Sequence, residues 1–171
     1  MEVSIAIKKR RGVRKFRSKP ISPEIIEKLS DALIWAPSAG NLQSRKFYFV
    51  FNEGIRKKLA VAANRQQPLW DAPLVVVCCV NEKSADKYGE RGKKLFAVCD
   101  VAASIENMML QAVELGLATL WMGAFDEDVV KEVVGLSENV RPVALVPVGY
   151  AAEDPDPPAR LAKEEIITQI N

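Results

Sequence analysis

The sequence predicts a single α/β domain over residues 1–171, built from packed layers of helices and strands. Helical and strand-like patterns alternate along the chain, which favours a sheet covered by helices. Leu74–Val80 is an unbroken apolar run, as expected for a central strand that is covered on both faces. The 171 residues are 49% apolar and 27% charged, enough for one core, and no repeat or long linker divides them.

The individual elements follow from periodicity and from start and stop signals. Ser22 and Pro23 begin a helix that Pro37 ends. In chain order we predict a helix from Ser22 to about Trp35, a strand over Lys46–Phe51, a helix over Asn52–Ala63, a proline-bearing loop, the strand Leu74–Val80, a polar connection or lid over Asn81–Lys94, a helix over Phe96–Leu115 ending at Gly116, a strand over Ala118–Met122, a helix from Asp126 to about Gly135, a strand over Val143–Tyr150, and a terminal helix or extended arm over Glu164–Gln169.

The helix predicted over Phe96–Leu115 has apolar side chains around most of its circumference, so we expect it to be buried on nearly all sides. In so short a chain it either threads the middle of the domain or packs against a second subunit. Trp35, Trp70 and Trp121 are expected in the core.

Composition excludes several classes of function. A net charge of +2 gives no general attraction to nucleic acid or to membranes. The apolar runs fall short of the roughly 20 residues of a membrane span and no signal peptide is recognised, so we expect a cytoplasmic protein. Cys78, Cys79 and Cys99 are expected to be free thiols, with no disulfide and no metal site. Histidine is absent, which removes the commonest general base and metal ligand, so the chemistry is expected to come from a bound molecule.

The segment Arg10–Phe16 carries one part of the functional signal. It places Arg10, Arg11 and Arg14 around Gly12, directly after a short apolar stretch. Guanidinium groups and free backbone N–H groups in this arrangement can hold a phosphate. The alternative is an ordinary solvated helix end.

The segment Ala36–Gln43 carries the other part. Pro37, Gly40 and Asn41 break the preceding helix, and uncharged hydroxyl and amide groups follow on Ser38, Asn41 and Gln43. Such groups can bind a heterocycle without introducing charge.

Three further motifs follow in order: Asp71-Ala72-Pro73, Leu115–Gly123 and Pro157–Arg160. Together with the two segments above, they make the chain, from about Ile5 to Ile167, resemble the FMN-dependent nitroreductase family. The resemblance implies a three-layer α-β-α fold around a mixed, mostly antiparallel sheet. It also implies an intertwined homodimer with two flavins at the subunit interface, reduction by NADH or NADPH, and electron delivery to a second substrate.

The resemblance also implies the cofactor site. Gly12 stands where many members have serine, and Ser44 stands where a proline is usual after the glutamine. Gln66 matches a flavin-contacting position, although Gln67 could serve instead. The FMN-binding residues implied are Arg10, Arg11, Gly12, Arg14 and Arg160 around the phosphate and ribityl chain; Pro37, Ser38, Ala39 and Asn41 against the flavin ring of the other subunit; Gln66; and Met122 and Gly123, whose backbone N–H groups point at the ring.

The expected function is NAD(P)H-dependent reduction of nitroaromatics, quinones or similar flat small molecules by a ping-pong route. No catalytic side chain is predicted, because hydride chemistry on a flavin needs no protein acid or base. The alternative is a flavin store or sensor, or a relative that consumes flavin. Asn81–Lys94 is the candidate roof of the site. The physiological acceptor and the choice between NADH and NADPH stay open.

Overall fold

The computed structural model describes residues 1–170 of the chain. In chain order its elements are helix α1 (Val3–Lys9), helix α2 (Pro23–Ile34), strand β1 (Arg45–Val50), helix α3 (Glu53–Ala62), helix α4 (Gln67–Asp71), strand β2 (Leu74–Asn81), helix α5 (Gly89–Arg91), helix α6 (Ala97–Glu114), strand β3 (Ala118–Thr119), helix α7 (Glu127–Val134), strand β4 (Val140–Gly149) and helix α8 (Lys163–Ile166). 3₁₀ segments cover Ala39–Asn41 and Glu82–Tyr88, and a π-helical turn over Gly92–Phe96 leads into α6.

The four strands form one sheet in the order β1-β2-β4-β3, and all three strand pairs are antiparallel. The register places Val77 between Tyr48 of β1 and Leu145 of β4. Outside the named strands, Gly12 forms a parallel bridge with Thr119 of β3. The prediction of a mostly antiparallel sheet is confirmed.

Helices cover both faces of the sheet and complete a three-layer α-β-α arrangement. Alternate side chains of β2 face opposite layers, since Val76 packs with Leu29 of α2 and Ile105 of α6, whereas Val77 packs with Leu59 of α3. Every residue from Leu74 to Val80 is fully buried, which confirms that this run is a central strand covered on both faces.

Several sequence-based boundaries need correction. The predicted loop after Ala63 contains α4, whose first turn accepts Pro68 because a proline there gives up no helical hydrogen bond. Asn81–Lys94 is not an irregular connection. From Glu82 onward it is a chain of helical turns that continues into α6, anchored by the buried Ala85 and Gly92. Its polar composition hid this, because exposed ion pairs such as Lys93–Asp86 (2.7 Å) line its surface.

The tryptophans are also placed differently from the expectation. Trp35, Trp70 and Trp121 are all exposed in the single chain, and Trp35 retains 82% of its accessible surface. They lie at the ends of helices or strands, where burial by the chain itself is incomplete. Large exposed aromatic side chains are typical of surfaces that another molecule covers.

Helix α6 is buried along one stripe rather than on nearly all sides. Val101, Ile105, Met108 and Ala112 face the sheet and α2, while the opposite face of the helix is partly exposed. By length and composition alone, the helical stretch Glu82–Glu114 is long and apolar enough to cross a membrane, a test that the core helix of a folded domain also passes. The side chains of its buried stripe pack within the domain as those of a core helix do.

Candidate functional site

The segment Arg10–Phe16 runs extended beside β3 and the end of β4. The Val13 N–H donates to the Thr119 carbonyl oxygen (3.1 Å), and Phe16 bridges Ala151. A Cβ atom on Gly12 would lie 3.1 Å from the Leu120 Cδ1 atom, a tight contact. This close approach explains why glycine suits the position.

The three arginines of this segment differ in how many contacts their guanidinium groups make within the chain. The Arg10 Nε atom lies 3.7 Å from the Glu106 carboxylate on α6. Arg11 folds back on α1, donating to the carbonyl oxygens of Lys8 (2.6 Å) and Arg10 (2.9 Å). The exposed Arg14 guanidinium makes no hydrogen bond or ion pair with any other residue in 1–170. Arg14 is therefore the cation of this segment with the greatest freedom to meet a ligand.

Glu153, which the sequence-based predictions do not include, holds the backbone of this segment. One of its carboxylate oxygens accepts the N–H groups of Arg14 (2.6 Å) and Lys15 (3.1 Å). The Ala152 N–H donates in turn to the Lys15 carbonyl oxygen (2.8 Å). The chain after β4 is thereby tied to the segment that presents Arg14.

The turn Pro37–Gln43 lies between α2 and β1 and has an uncommon backbone. Gly40 and Asn41 each have φ of +55°, and Gln43 has φ of +49°. The Ser38 hydroxyl oxygen accepts the Gln43 N–H at 3.0 Å, closing the turn. The Asn41 side chain is exposed, as is Pro37. A hydrogen bond within the turn therefore stabilises its shape, while the polar side chain of Asn41 faces solvent.

A carboxylate from the core also holds this turn. Asp100 of α6 is 5% exposed, and its two oxygens accept the Ala39 N–H and the Ser44 hydroxyl, both at 2.9 Å. The Arg45 guanidinium fixes the entry to the turn by donating to the carbonyl oxygens of Ile34, Ala36 and Pro37. Partial burial lowers the pKa of Arg45, and the nearby Asp100 carboxylate opposes that shift.

Asp100, Ser44, Arg45 and Glu153 were all missed as site residues. One signal could have found Asp100, because it is the only charged residue between Lys94 and Glu106 in an otherwise apolar helix. Charged residues are rarely buried unless they are paired. No comparable signal marks Glu153, which lies in a stretch rich in acidic residues.

The backbone N–H groups of Met122 and Gly123 differ in whether they are free to bind a ligand. Met122 is buried, and its N–H donates to the Leu145 carbonyl oxygen at 3.0 Å, so that N–H is used by the sheet. Within the described part of the chain the Gly123 N–H makes no hydrogen bond, and nothing lies within 4 Å of the position of a Cβ atom there. Gly123 is the open donor of the two.

Gln66 and Gln67 differ in a similar way. The Gln67 Nε2 atom donates to the Asp71 carboxylate at 2.8 Å, within α4. Gln66 precedes α4, is half-buried, and its side chain does not cap the helix. Within residues 1–170, Gln66 is the one of the two glutamines whose amide makes no hydrogen bond.

Arg160 is not brought to the other cations. Among the described residues its Nη1 atom donates only to the nearby carbonyl oxygens of Pro158 (3.5 Å) and Ala159 (3.2 Å), and every residue from Pro157 to Ile170 is exposed. An open cavity of about 580 Å³ separates Lys9 and Arg11 from the Glu153–Pro157 stretch. The single chain therefore does not assemble Arg10, Arg14 and Arg160 around one cavity.

Within residues 1–170, Gln43 of the turn and Arg11 of the basic segment line different cavities. Gln43 lines a groove of about 480 Å³ between α2 and β1, whereas Arg11 lines the cavity near Glu153. Both segments are nevertheless attached to α6, the basic segment through Glu106 and the turn through Asp100. Those two attachment points are about 9 Å apart along the helix axis.

These groups fit a flavin mononucleotide in kind. A phosphate requires cations or N–H donors, and the Arg14 guanidinium is unpartnered within residues 1–170. A flavin ring requires neutral donors and acceptors, which the Gly123 N–H, the turn Pro37–Gln43 and Gln66 offer.

Comparison with known proteins agrees with this chemistry. The model of the nitroreductase family matches residues 7–68 and 57–150. A Methanothermobacter thermautotrophicus protein named NADH dehydrogenase/NAD(P)H nitroreductase is 32% identical over 160 residues, covering 91% of this chain and 80% of that protein. A solved nitroreductase family protein from Clostridium difficile is 32% identical with a TM-score of 0.86, covering 98% of each chain.

A third comparison, with the NADPH:FMN oxidoreductase of Vibrio harveyi complexed with NAD+, shows the same fold. Its TM-score is 0.91 at 22% identity, over 99% of this chain and 77% of that one. The chain belongs to the nitroreductase family. It is an oxidoreductase that uses NADH or NADPH.

Proposed function

We propose that this protein reduces nitroaromatics, quinones or similar flat acceptors by a ping-pong route, as a homodimer whose flavin sites lie at the subunit interface. Bound FMN supplies the redox chemistry, accepting two electrons from NADH or NADPH and passing them to the acceptor. One observation carries the proposal. The segment Arg10–Phe16 and the turn Pro37–Gln43 are held in shape by hydrogen bonds, while the Arg14 guanidinium and the Gly123 N–H remain without partners in residues 1–170.

The chain's own residues bind and orient the cofactor. Arg14 and Arg10 hold the phosphate, with Arg160 joining them in the assembled dimer. Arg11 stays on the end of α1 and contributes mainly its positive charge, and Gly12 contributes its backbone. The Gly123 N–H stabilises negative charge on the reduced ring, as a preorganised donor does in a site shielded from water. The remaining contacts are made by Gln66 and, toward the partner's flavin, by Pro37, Ser38, Ala39 and Asn41.

The homodimer is supported by the apolar surface that one chain leaves open. Trp35 and Ile34 are exposed where α2 ends, and Val3 and Ile7 are exposed on α1, with Val3 and Trp35 lining the same groove. The C-terminal arm, residues 157–170, adds Leu161, Ile166, Ile167 and Ile170, the last of them 93% exposed. Monomeric proteins rarely leave so much apolar surface in water, and a second copy of the chain is the occupant that the shared site requires.

The proposal is tested first by the absorbance spectrum of the purified protein with FMN under anaerobic conditions. We expect flavin bands to remain with the protein after gel filtration and to bleach on addition of NADH or NADPH. Flavin that binds but never bleaches would instead indicate the storage or flavin-consuming alternative. If no flavin binds, the proposed site is wrong.

The acceptor class and the kinetic route need a second experiment. Initial rates with a nitrofuran and with a benzoquinone, each measured at several NAD(P)H concentrations, should give parallel lines in double-reciprocal plots. Intersecting lines would contradict the ping-pong route. Size-exclusion chromatography with light scattering should show a dimer, and a monomer that still bound FMN would contradict the shared site.

A further inference from the structure

The carboxylate of Asp100 lies under the turn that faces the cofactor. It is 5% exposed, and each of its two oxygens accepts one hydrogen bond of 2.9 Å, from the Ala39 N–H within the turn and from the Ser44 hydroxyl just after it. We propose that Asp100 and Ser44 form a positioning pair that holds the turn Pro37–Gln43 in the shape that binds the flavin. The inference rests on the proposed function, since it assigns these residues to the same site.

The turn requires anchors because its backbone is strained. Asn41 and Gln43 are non-glycine residues with φ of +55° and +49°, in the left-handed region, and Gly40 between Ala39 and Asn41 has φ of +55°. Such conformations persist only where the surrounding structure holds them. The Ser38–Gln43 hydrogen bond lies inside the turn and cannot fix it to the domain. Asp100 provides that connection, since it belongs to the core helix α6.

The identity of residue 100 also points to this role. Most of the neighbouring buried residues of α6, such as Ala97, Val101 and Ile105, are apolar, as expected for a face that packs against a sheet, and Ser104 is the other buried polar residue of this helix. Burying a carboxylate there is unfavourable unless its oxygens are hydrogen-bonded, and both of them are. An apolar residue would fill the space as well but could not hold the turn.

The Ser44–Asp100 hydrogen bond is the second attachment of this part of the chain to α6. It joins the first residue after the turn to the same carboxylate that holds the Ala39 N–H. Loss of either residue should release one end of the turn.

Four variants of the full chain test the pair by fluorescence titration with FMN, with thermal unfolding of the apoprotein measured alongside. We expect Ser44→Ala to raise the Kd for FMN about tenfold and Asp100→Ala to raise it further. Asp100→Asn should stay within about threefold of wild type, because its amide oxygen can accept from Ala39 while its NH₂ donates to the Ser44 hydroxyl. Ser104→Ala is the matched control, since Ser104 is a buried hydroxyl of the same helix that bonds only the Asp100 carbonyl oxygen.

The visible circular dichroism of saturated FMN separates positioning from general destabilisation. We expect an altered flavin spectrum for Ser44→Ala and an unaltered one for Ser104→Ala, at temperatures where both are folded. A wild-type protein that binds no FMN would overturn the proposed function. A wild-type protein that binds FMN while Ser44→Ala behaves like Ser104→Ala would overturn the positioning pair alone. An Asp100→Asn variant as weak as Asp100→Ala would also contradict it, because charge rather than hydrogen bonding would then be responsible.

Discussion

The turn Pro37–Gln43 and the C-terminal arm, residues 157–170, are both expected at the cofactor site, yet one chain holds them very differently. The turn contains a 3₁₀ segment and is connected to the buried carboxylate of Asp100 and to the Arg45 guanidinium of the same subunit. The arm is exposed throughout, and Arg160 donates only to the carbonyl oxygens of its own stretch. The difference indicates that one half of the site is formed when the chain folds, whereas the other half is completed by assembly.

Removing residues 161–171 should have the largest effect. The truncation deletes the exposed apolar side chains Leu161, Ile166, Ile167 and Ile170, which we expect the partner subunit to cover. The truncated chain should lose the dimer and with it FMN binding, whereas Arg160→Ala in the full chain should weaken FMN binding but keep the dimer. Light scattering and FMN titration measure both. A truncated dimer with unchanged FMN affinity would mean that the arm has no part in the site.

Arg14→Ala and Arg11→Ala should separate ligand binding from helix stability. Because the Arg14 guanidinium is unpartnered within residues 1–170, its loss should raise the Kd for FMN roughly 10- to 100-fold, the effect of a charged hydrogen bond of about 1.5–3 kcal/mol, with no unfolding. Arg11 donates to carbonyl oxygens at the end of α1, so its loss should lower the Tm by a few degrees and raise the Kd for FMN less than Arg14→Ala does. FMN retained by Arg14→Ala after dialysis would remove the arginine from the phosphate site.

The shape of the turn can be tested at Gly40. A Cβ atom there would collide with the Tyr88 hydroxyl oxygen and would also suffer from a φ of +55°. Gly40→Ala should therefore destabilise the chain by more than the roughly 1–2 kcal/mol expected from the backbone conformation alone. Gly116→Ala is the control for that conformation, since Gly116 has φ of +73° and no atom within 4 Å of the added Cβ. Urea unfolding of the apoproteins measures the two losses, and equal losses would show that Tyr88 does not constrain the turn.

The sequence predicts an element of this fold correctly where the contacts that determine the element are local. Leu74–Val80 is predicted as a central strand because an unbroken apolar run indicates burial on both faces. The end of α7 at Gly135 is also predicted correctly, because the left-handed conformation that ends a helix favours glycine. The order of the strands, by contrast, depends on pairings between distant segments that periodicity does not encode.

The candidate site shows the same division. The turn Pro37–Gln43 was recognised from its own residues, but its anchor Asp100 lies 61 residues from Ala39 in the chain. Glu153 was missed for the same reason, being 139 residues from Arg14. The helical character of Glu82–Phe96 was hidden by charged residues that pair on its surface, such as Lys94 with Glu90 at 3.0 Å. Polar sequence there indicates a solvated face and not an absence of structure.

The smallest predicted effect concerns the cysteines, whose reactivity reports whether the core around β2 and α6 opens in the native protein. Burial raises the pKa of Cys79 to about 12, although Lys46 opposes the shift, and burial also raises the pKa of Cys78. Both thiols therefore stay protonated at pH 8 and out of reach of reagent, whereas Cys99 is exposed on α6. We expect Ellman's reagent to modify Cys99 alone in the native protein and all three thiols after denaturation. If Cys78 reacts in the native protein, β2 opens on the time scale of the assay, and the layer that carries Asp100 is less rigid than its contacts indicate.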